Sequence, residues 1–271
     1  MTEHASLRPS RPILAANWLI LALLILPMTI IVPVALTDKP YLSLPGEGLS
    51  LQHFERLFAS REWLASFAQS GIIGLAATAI AVTFGGAATI GCWQLSARFA
   101  APIRVLLLTP LTIPSIIYAL GLYRLFIRLD LLDTYLGVIL AHAVTGIPYV
   151  VITTSAALTG FDPALMRAAR GLGATIPQAL RRVLLPNIYP GILSGAILAF
   201  MHSWDEIVIV LFIASRSITT VPRRIWDGIN DQLDPIIAAV AVTMVAVSLA
   251  LLLLNQQVLR RSSTRAKAEQ S

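Results

Sequence analysis

Six runs of apolar residues, at about 13–36, 67–93, 105–126, 134–158, 188–214 and 235–259, alternate with short polar segments along the chain. Each reaches the roughly 20 residues that a helix needs to cross a bilayer core. The pattern predicts an all-α integral membrane protein with six transmembrane helices. No charge falls between Ile13 and Leu36, Arg8 and Arg11 precede that run, and no small-x-small cleavage pattern follows it closely. It reads as a retained first span, not a signal sequence. Pro27 and Pro33 within it are kinks that neighbouring helices can accommodate. The second run is rich in small residues, among them Ala76, Ala77, Gly85, Gly86 and Gly91, which let helix backbones approach closely in a bundle.

Outside these runs two segments carry helical periodicity. "LSLQHFERLFASREWLASF" (49–67) places Leu51, Phe54, Leu57, Phe58 and Leu64 near helical spacing, which predicts an amphipathic helix along the outer membrane surface. "RAARGLGATIPQALRRVLLP" (167–186) holds four arginines in twenty residues. Asp162 before Pro163 is an N-cap followed by proline in the first turn. Ala164 to Arg170 then forms a short helix that Gly171 and Gly173 end. Ile176 to Leu184 forms a second, and Pro186 stops it before the fifth span. Helices this short do not hold in water by themselves, so the membrane helices or a partner must support them.

Composition agrees with the span pattern: 56% of residues are hydrophobic and 13% charged, against about 25% charged in soluble domains. The net charge of +6 is spread over loops and tails and reads as membrane topology, not a nucleic-acid surface. With the N-terminus inside, the inner segments hold twelve Lys and Arg (Arg8, Arg11, Arg98, Arg104, Arg167, Arg170, Arg181, Arg182, Arg260, Arg261, Arg265, Lys267) and the outer loops eight. That bias places both termini and the 159–187 loop in the cytoplasm. The polar tail after Arg260 is expected without structure. The single cysteine, Cys92, excludes an intramolecular disulfide and a cysteine-based zinc cluster.

The 167–186 segment resembles the "EAA" cytoplasmic loop of permease subunits from binding-protein-dependent ATP-binding-cassette (ABC) importers. That pattern reads Glu-Ala-Ala, three residues, Gly, nine residues, Ile, one residue, Leu-Pro. Ala168, Ala169, Gly173, Val183, Leu185 and Pro186 fall at the matching spacings. Arg167 stands where the family usually has Glu, and Val183 replaces Ile. "PLTIPSIIYALGL" (110–122), "AHAVTGIPYVV" (141–151), "AFMHSWDEIVIVLFIA" (199–214) and "TTVPRRIWDGINDQLDPIIAAVAV" (219–242) are similar to the spermidine/putrescine branch of these permeases. The likeness covers about residues 50 to 258.

The resemblance implies a type I (MetI-like) ABC importer arrangement in a bacterial inner membrane. Its organisation is a cytoplasmic N-terminus (1–12), a first helix (13–36), an outer segment (37–66), a transmembrane core (67–259) with a coupling loop at 159–187, and a cytoplasmic tail (260–271). It further implies a second, non-identical permease, two ATPase subunits holding ATP and magnesium, a solute-binding protein outside, and no nucleic acid. In this family the loop's helix docks in a groove of the ATPase; Arg167, Ala168, Ala169, Gly171, Gly173, Val183, Leu185 and Pro186 are the residues it implicates here.

The chain cannot supply that energy by a P-loop. Its two lysines, Lys39 and Lys267, lie outside any glycine-rich loop ending in Lys-Ser/Thr. Ser194 with His142 or His202 could suggest an intramembrane serine protease, but a serine and a histidine on separate spans meet by chance. No catalytic, metal or cofactor site is expected. Within the spans only the fifth carries acids, Asp205 and Glu206. An acid in mid-membrane costs about 2.5–3.5 kcal/mol on insertion scales and usually faces a water-filled path or a partner. His202 precedes them by three and four residues, within reach on one helix face. Adjacent helical residues point about 100° apart, so the expectation is Asp205 on the path and Glu206 pairing at a helix interface. His202, Asp205, Glu206 and Trp204 are the candidate path residues, and a cationic polyamine is the expected cargo. Ferric iron or another amino-bearing solute is the alternative. An ion-gradient-driven transporter would call for inverted repeats, which the sequence does not display.

Overall fold

A computed structural model describes residues 11–214, 216–231 and 233–268; the N-terminal segment 1–10 and the last three residues of the expected tail lie outside them. Among the described residues every regular element is helical. In chain order they are α1 (Arg11–Ala35), α2 (Gln52–Ala59), α3 (Arg61–Gln94), α4 (Ala97–Leu108), α5 (Ser115–Arg128), α6 (Tyr135–Thr159), α7 (Pro163–Gly171), α8 (Ile176–Ala179), α9 (Leu185–Asp205), α10 (Val208–Ile213), α11 (Val221–Asp231) and α12 (Ile236–Ala268). Among the described residues five helices are long and apolar enough to cross a membrane, and α4 with α5 makes a sixth span if the bent pair is taken as one.

Four expectations are corrected. The third apolar run is not one straight helix: the segments before and after Thr112–Pro114 meet at 100°. Pro114 lacks an N–H, disfavours the α region at Ile113 and is itself non-helical (φ −54°, ψ 134°), so the chain turns there. The fifth span starts earlier and ends earlier than expected. Pro186 does not stop the preceding helix; Ile176–Asp205 is one 30-residue helix. A π-turn at Leu180–Leu184 absorbs the proline. The Leu185 N–H reaches back to the Leu180 carbonyl, and Asn187 Nδ2 donates to the Val183 carbonyl at 2.8 Å. The amphipathic stretch 49–67 is divided at Ser60, which is extended (φ −79°, ψ 113°), so Arg61 to Phe67 open α3. The tail continues as helix to Ala268.

By its contacts the chain forms two units, Arg61–Trp226 with Val247–Ser271, and Met1–Ser60 with Asp227–Ala246. In the first, α3, α6 and α9 pack against one another in pairs. Small residues permit this. Gly146 faces Ala81 and Ala199, and a Cβ there would sit 3.4–3.5 Å from their methyls. At Gly195 on α9 a Cβ would lie 2.8 Å from the Val150 Cα and against Thr153 Oγ1. With no hydrophobic force between helices in lipid, such close contact is what holds a bundle together. α10 packs on α5, and Ile209, Val210 and Ile213 join Phe126 and Val138 in a buried cluster. Asp133, in the left-handed region at φ 57°, fastens the α5–α6 turn to the chain after α10. Its Oδ1 accepts from the N–H groups of Arg216 and Ser217 at 3.1 Å each.

In the second unit α1 presents most of its apolar side chains outward, as a helix facing lipid or a partner span does. The Asp38 carboxylate accepts from the backbone of Gly46 (2.8 Å) and Glu47 (3.3 Å). The Gly46 N–H above all holds its pKa below the usual carboxylate range. Arg56 on α2 grips Asp234 with two bonds, of 3.2 and 2.6 Å, and Asp234 Oδ1 also caps α12 through the Ile236 N–H at 2.9 Å. Partial burial raises the Asp234 pKa, but Arg56 and that N–H outweigh it, and the net shift is downward.

A depressed carboxylate pKa stabilises the fold at full strength above its unfolded value, near pH 4, and the contribution is lost as the pH falls through the lower folded value. Asp234→Ala removes a cap and a partly exposed ion pair, together worth about 1–2 kcal/mol. The expected result is a melting temperature a few degrees below wild type at pH 7, with the gap closing toward pH 3. A gap independent of pH would show that the carboxylate's charge contributes nothing.

Candidate functional site

The loop between α6 and α9 is a built structure. Asp162 Oδ1 accepts the Ala164 N–H at 2.8 Å, with Pro163 at the first helical position. At its other end α7 closes in a Schellman motif: the Ala174 N–H bonds the Ala169 carbonyl (3.1 Å) and the Gly173 N–H bonds the Arg170 carbonyl (3.0 Å). Gly173 occupies the left-handed position this requires, at φ 87°. Gly171, expected to help end the helix, is its last residue instead. Thr175 then opens α8 with a capping box: its Oγ1 accepts the Gln178 N–H at 3.4 Å, while Gln178 Oε1 accepts the Thr175 N–H at 2.9 Å.

Underneath, Met166 and Val183 pack on a cluster of Leu158, Phe161, Leu184 and Ile188. Of the candidate coupling residues, Arg167, Ala168, Gly171, Gly173, Leu185 and Pro186 are exposed, while Ala169 and Val183 are half-buried. Leu165 and Leu172, which the motif does not include, are exposed with Ala168, and Leu172 is 90% exposed. Spaced three and four residues apart, Leu165 and Ala168 on α7 and Leu172 at its C-cap form one exposed stripe. That i, i+3, i+7 spacing is legible in the sequence.

The second candidate region is the end of α9. The helix stops at Asp205, and Glu206 is extended (φ −75°, ψ 118°). Here the expectation that both acids sit on one helix is corrected. Glu206 is buried, and its Oε1 accepts the Ile209 N–H at 3.1 Å, so the side chain starts α10 instead of continuing α9. Asp205 is exposed. Both acids line a cavity of about 290 Å³ with Tyr149, Leu198, Met201 and His202. The rings of Tyr149 and His202 lie 5.1 Å apart at 32°. Trp204 does not join them. It is 5% exposed, stacked on Phe200 (5.7 Å, 24°) and tilted against Phe67, within the bundle.

His142 on α6 ties to this same turn through Nδ1 and Ser203 Oγ, 2.7 Å apart, both side chains buried. Ser194 Oγ lies 2.8 Å from Asn255 Oδ1, so the structure brings Ser194 to an amide, and the histidine pairs with a different serine. Among the described residues no three His, Cys, Asp or Glu side chains are grouped to hold a metal.

Residues 81–264, more than half of the chain, match the family described as the binding-protein-dependent transport system inner membrane component. The chain belongs to that family. It is 29% identical over 249 residues to the spermidine/putrescine transport system permease protein PotC of Haemophilus influenzae, covering 92% of this chain and 96% of that one. It is 34% identical over 160 residues to the sulfate transport system permease protein CysT of Salmonella typhimurium, 57% of each chain. A crystal structure of a bacterial alginate ABC transporter, in complex with an alginate pentasaccharide-bound periplasmic protein, superposes with a TM-score of 0.69 at 17% identity, over 92% of this chain and 94% of that one. The protein is thus a multi-pass inner-membrane permease subunit of an ABC importer with the type I fold, and its family is one of transport subunits, not enzymes.

Proposed function

We propose that this permease forms half of a translocation path for polyamines such as putrescine and spermidine. The observation that carries the reading is the cavity at the α9–α10 break, which Asp205 and Glu206 line together with Tyr149. The exposed Asp205 carboxylate accepts hydrogen bonds from a substrate ammonium group, and the aromatic wall offers a π-face to the same cation. Glu206, committed to the Ile209 N–H, keeps the helix broken so that Asp205 stands at its end. The carbonyl end of α9 carries partial negative charge as well. The family fold alone does not choose the cargo's charge, since one similar protein is named for sulfate and another for spermidine and putrescine; the acids argue for a cation.

In this reading the partners are a second, non-identical permease, two ATPase subunits that bind ATP and magnesium, and a solute-binding protein outside. Residues 159–187 are the coupling loop, both termini are cytoplasmic, and 37–66 lies outside. ATP-driven closure of the ATPases moves α7, and the helices of the core rotate to open the path outward.

The test is ATP-dependent uptake of labelled putrescine into vesicles holding this chain with the subunits encoded beside it. Asp205→Asn keeps the shape and removes the charge, and a lost charge-assisted bond of about 1.5–3 kcal/mol corresponds to a rise in KM of about tenfold or more. ATPase activity should stay intact. Uptake with unchanged KM in Asp205→Asn would remove Asp205 from the path, and failure of the wild type to take up polyamine while hydrolysing ATP would overturn the substrate.

A further inference from the structure

We propose that the cavity where α3, α4 and α6 meet the start of α7 binds the headgroup of an anionic phospholipid. This site is separate from the acidic cavity and independent of the cargo. It measures about 310 Å³ and is lined by Trp93, Arg104, Ser155, Thr159, Phe161 and Pro163, with Leu158.

Two of its polar groups lack partners. Arg104 makes no ion pair or hydrogen bond among the described residues. The Ser155 hydroxyl is buried with nothing to bond, an arrangement that native structures rarely leave unfilled. A phosphate oxygen in the cavity accepts from the guanidinium, and a rotation of the buried Ser155 side chain about χ1 brings its hydroxyl to the same group. At the start of α7, Pro163 has no N–H and the Ala164 N–H is already held by the Asp162 carboxylate.

Charge and shape select an amphiphile. The stretches 95–109 and 160–187 hold six arginines and a single acid, Asp162, so this end of the unit draws anions. Arg104 also rides on a helix whose neighbouring apolar side chains are outward: Val105 is 67% exposed and Leu106 71%. A free anion would leave those side chains uncovered; a phospholipid covers them with its acyl chains while its phosphate meets Arg104. Trp93, at the end of a membrane span, is the residue type that sits at headgroup level. It meets Phe161 edge-on, 5.8 Å and 73°, and Phe161 lies two residues before α7. A lipid bound here therefore braces the loop's first helix from the membrane side.

The experiment purifies the full chain with its co-expressed subunits into nanodiscs of phosphatidylcholine alone or with one-third phosphatidylglycerol, and counts retained lipid by native mass spectrometry. Wild type should retain phosphatidylglycerol after delipidation, and Arg104→Gln should lose it by roughly tenfold. Arg98→Gln should behave as wild type, because Arg98 lies over the Phe99 ring at 4.5 Å and outside the cavity. If Arg104→Gln does not assemble, Ser155→Val, which fills the space and deletes the hydroxyl, should show the same loss. Equal retention in the cavity variants and wild type overturns the site. So does displacement of phosphatidylglycerol by millimolar inorganic phosphate, which would make the ligand a free anion.

Discussion

Gly195→Leu is expected to leave no assembled permease. Even the first side-chain atom at this position collides with the Val150 Cα at 2.8 Å and with Thr153 Oγ1. The Val150 Cα cannot retreat, because it is backbone within α6, and Thr153 Oγ1 gives way only by breaking its bonds to the Tyr149 and Val150 carbonyls (3.0 and 3.3 Å). One turn earlier, a Cβ at Gly191 would stand 2.9 Å from the Thr153 carbonyl oxygen, so the two helices are in backbone contact along this edge. Overpacking a core costs about 1–3 kcal/mol when side chains can shift, and more when they cannot. Here α6 and α9 would have to part, breaking the central crossing of the first unit. Fluorescence-detected size exclusion should show the variant lost or aggregated. Gly195→Ala should melt several degrees below wild type. Gly171→Ala, whose added methyl meets open space, should melt close to wild type. A stable, monodisperse Gly195→Leu would mean that the crossing is looser than the structure has it.

Gly173→Val is expected to separate ATP hydrolysis from transport. No atom lies within 4 Å of a Cβ built at Gly173, so the cost comes from backbone conformation alone. At φ 87° a non-glycine residue pays about 1–2 kcal/mol, and a β-branched one more. The cheapest relief is to abandon the left-handed turn, and with it both bonds of the Schellman closure. Then α7 no longer holds its angle to α8, although each helix can still form. The assembly should keep its basal ATPase activity while uptake falls by at least tenfold. Gly173→Asn, which tolerates the left-handed region, should recover much of the loss. Full transport in the valine variant would remove the turn from the coupling pathway.

What the sequence disclosed follows a physical divide. Spans were legible because twenty-residue apolar runs have few other uses, and the α7 start was legible because Asp162-Pro163 is a local signal that needs no tertiary context. The breaks inside spans were harder to read. Averaging hydropathy over 105–126 hides the effect of Pro114 on Ile113, although that effect is itself local. Pro186 misled in the opposite direction: the rule that proline stops a helix assumes a regular α ladder, and here a π-turn just before the ring carries the helix past it. At the acidic site the residue set was mostly visible, since charges within a span are conspicuous. Their roles were not, because a helical wheel presumes a helix through Glu206, whereas that side chain ends one helix and begins another. Trp204 shows the same limit: proximity in sequence to Asp205 says nothing about which side of the helix faces the bundle.

The continuity of Ile176–Asp205 has a mechanical consequence. The close contact at Gly191 and Gly195 makes a natural fulcrum, with arms of about 25 Å toward Ile176 and about 18 Å toward Asp205 at 1.5 Å per residue. A tilt of about 10° there would carry the loop end by about 4 Å and the acid by about 3 Å in the opposite sense. A stroke received at one surface of the membrane would thus emerge near the other reversed in direction and slightly reduced.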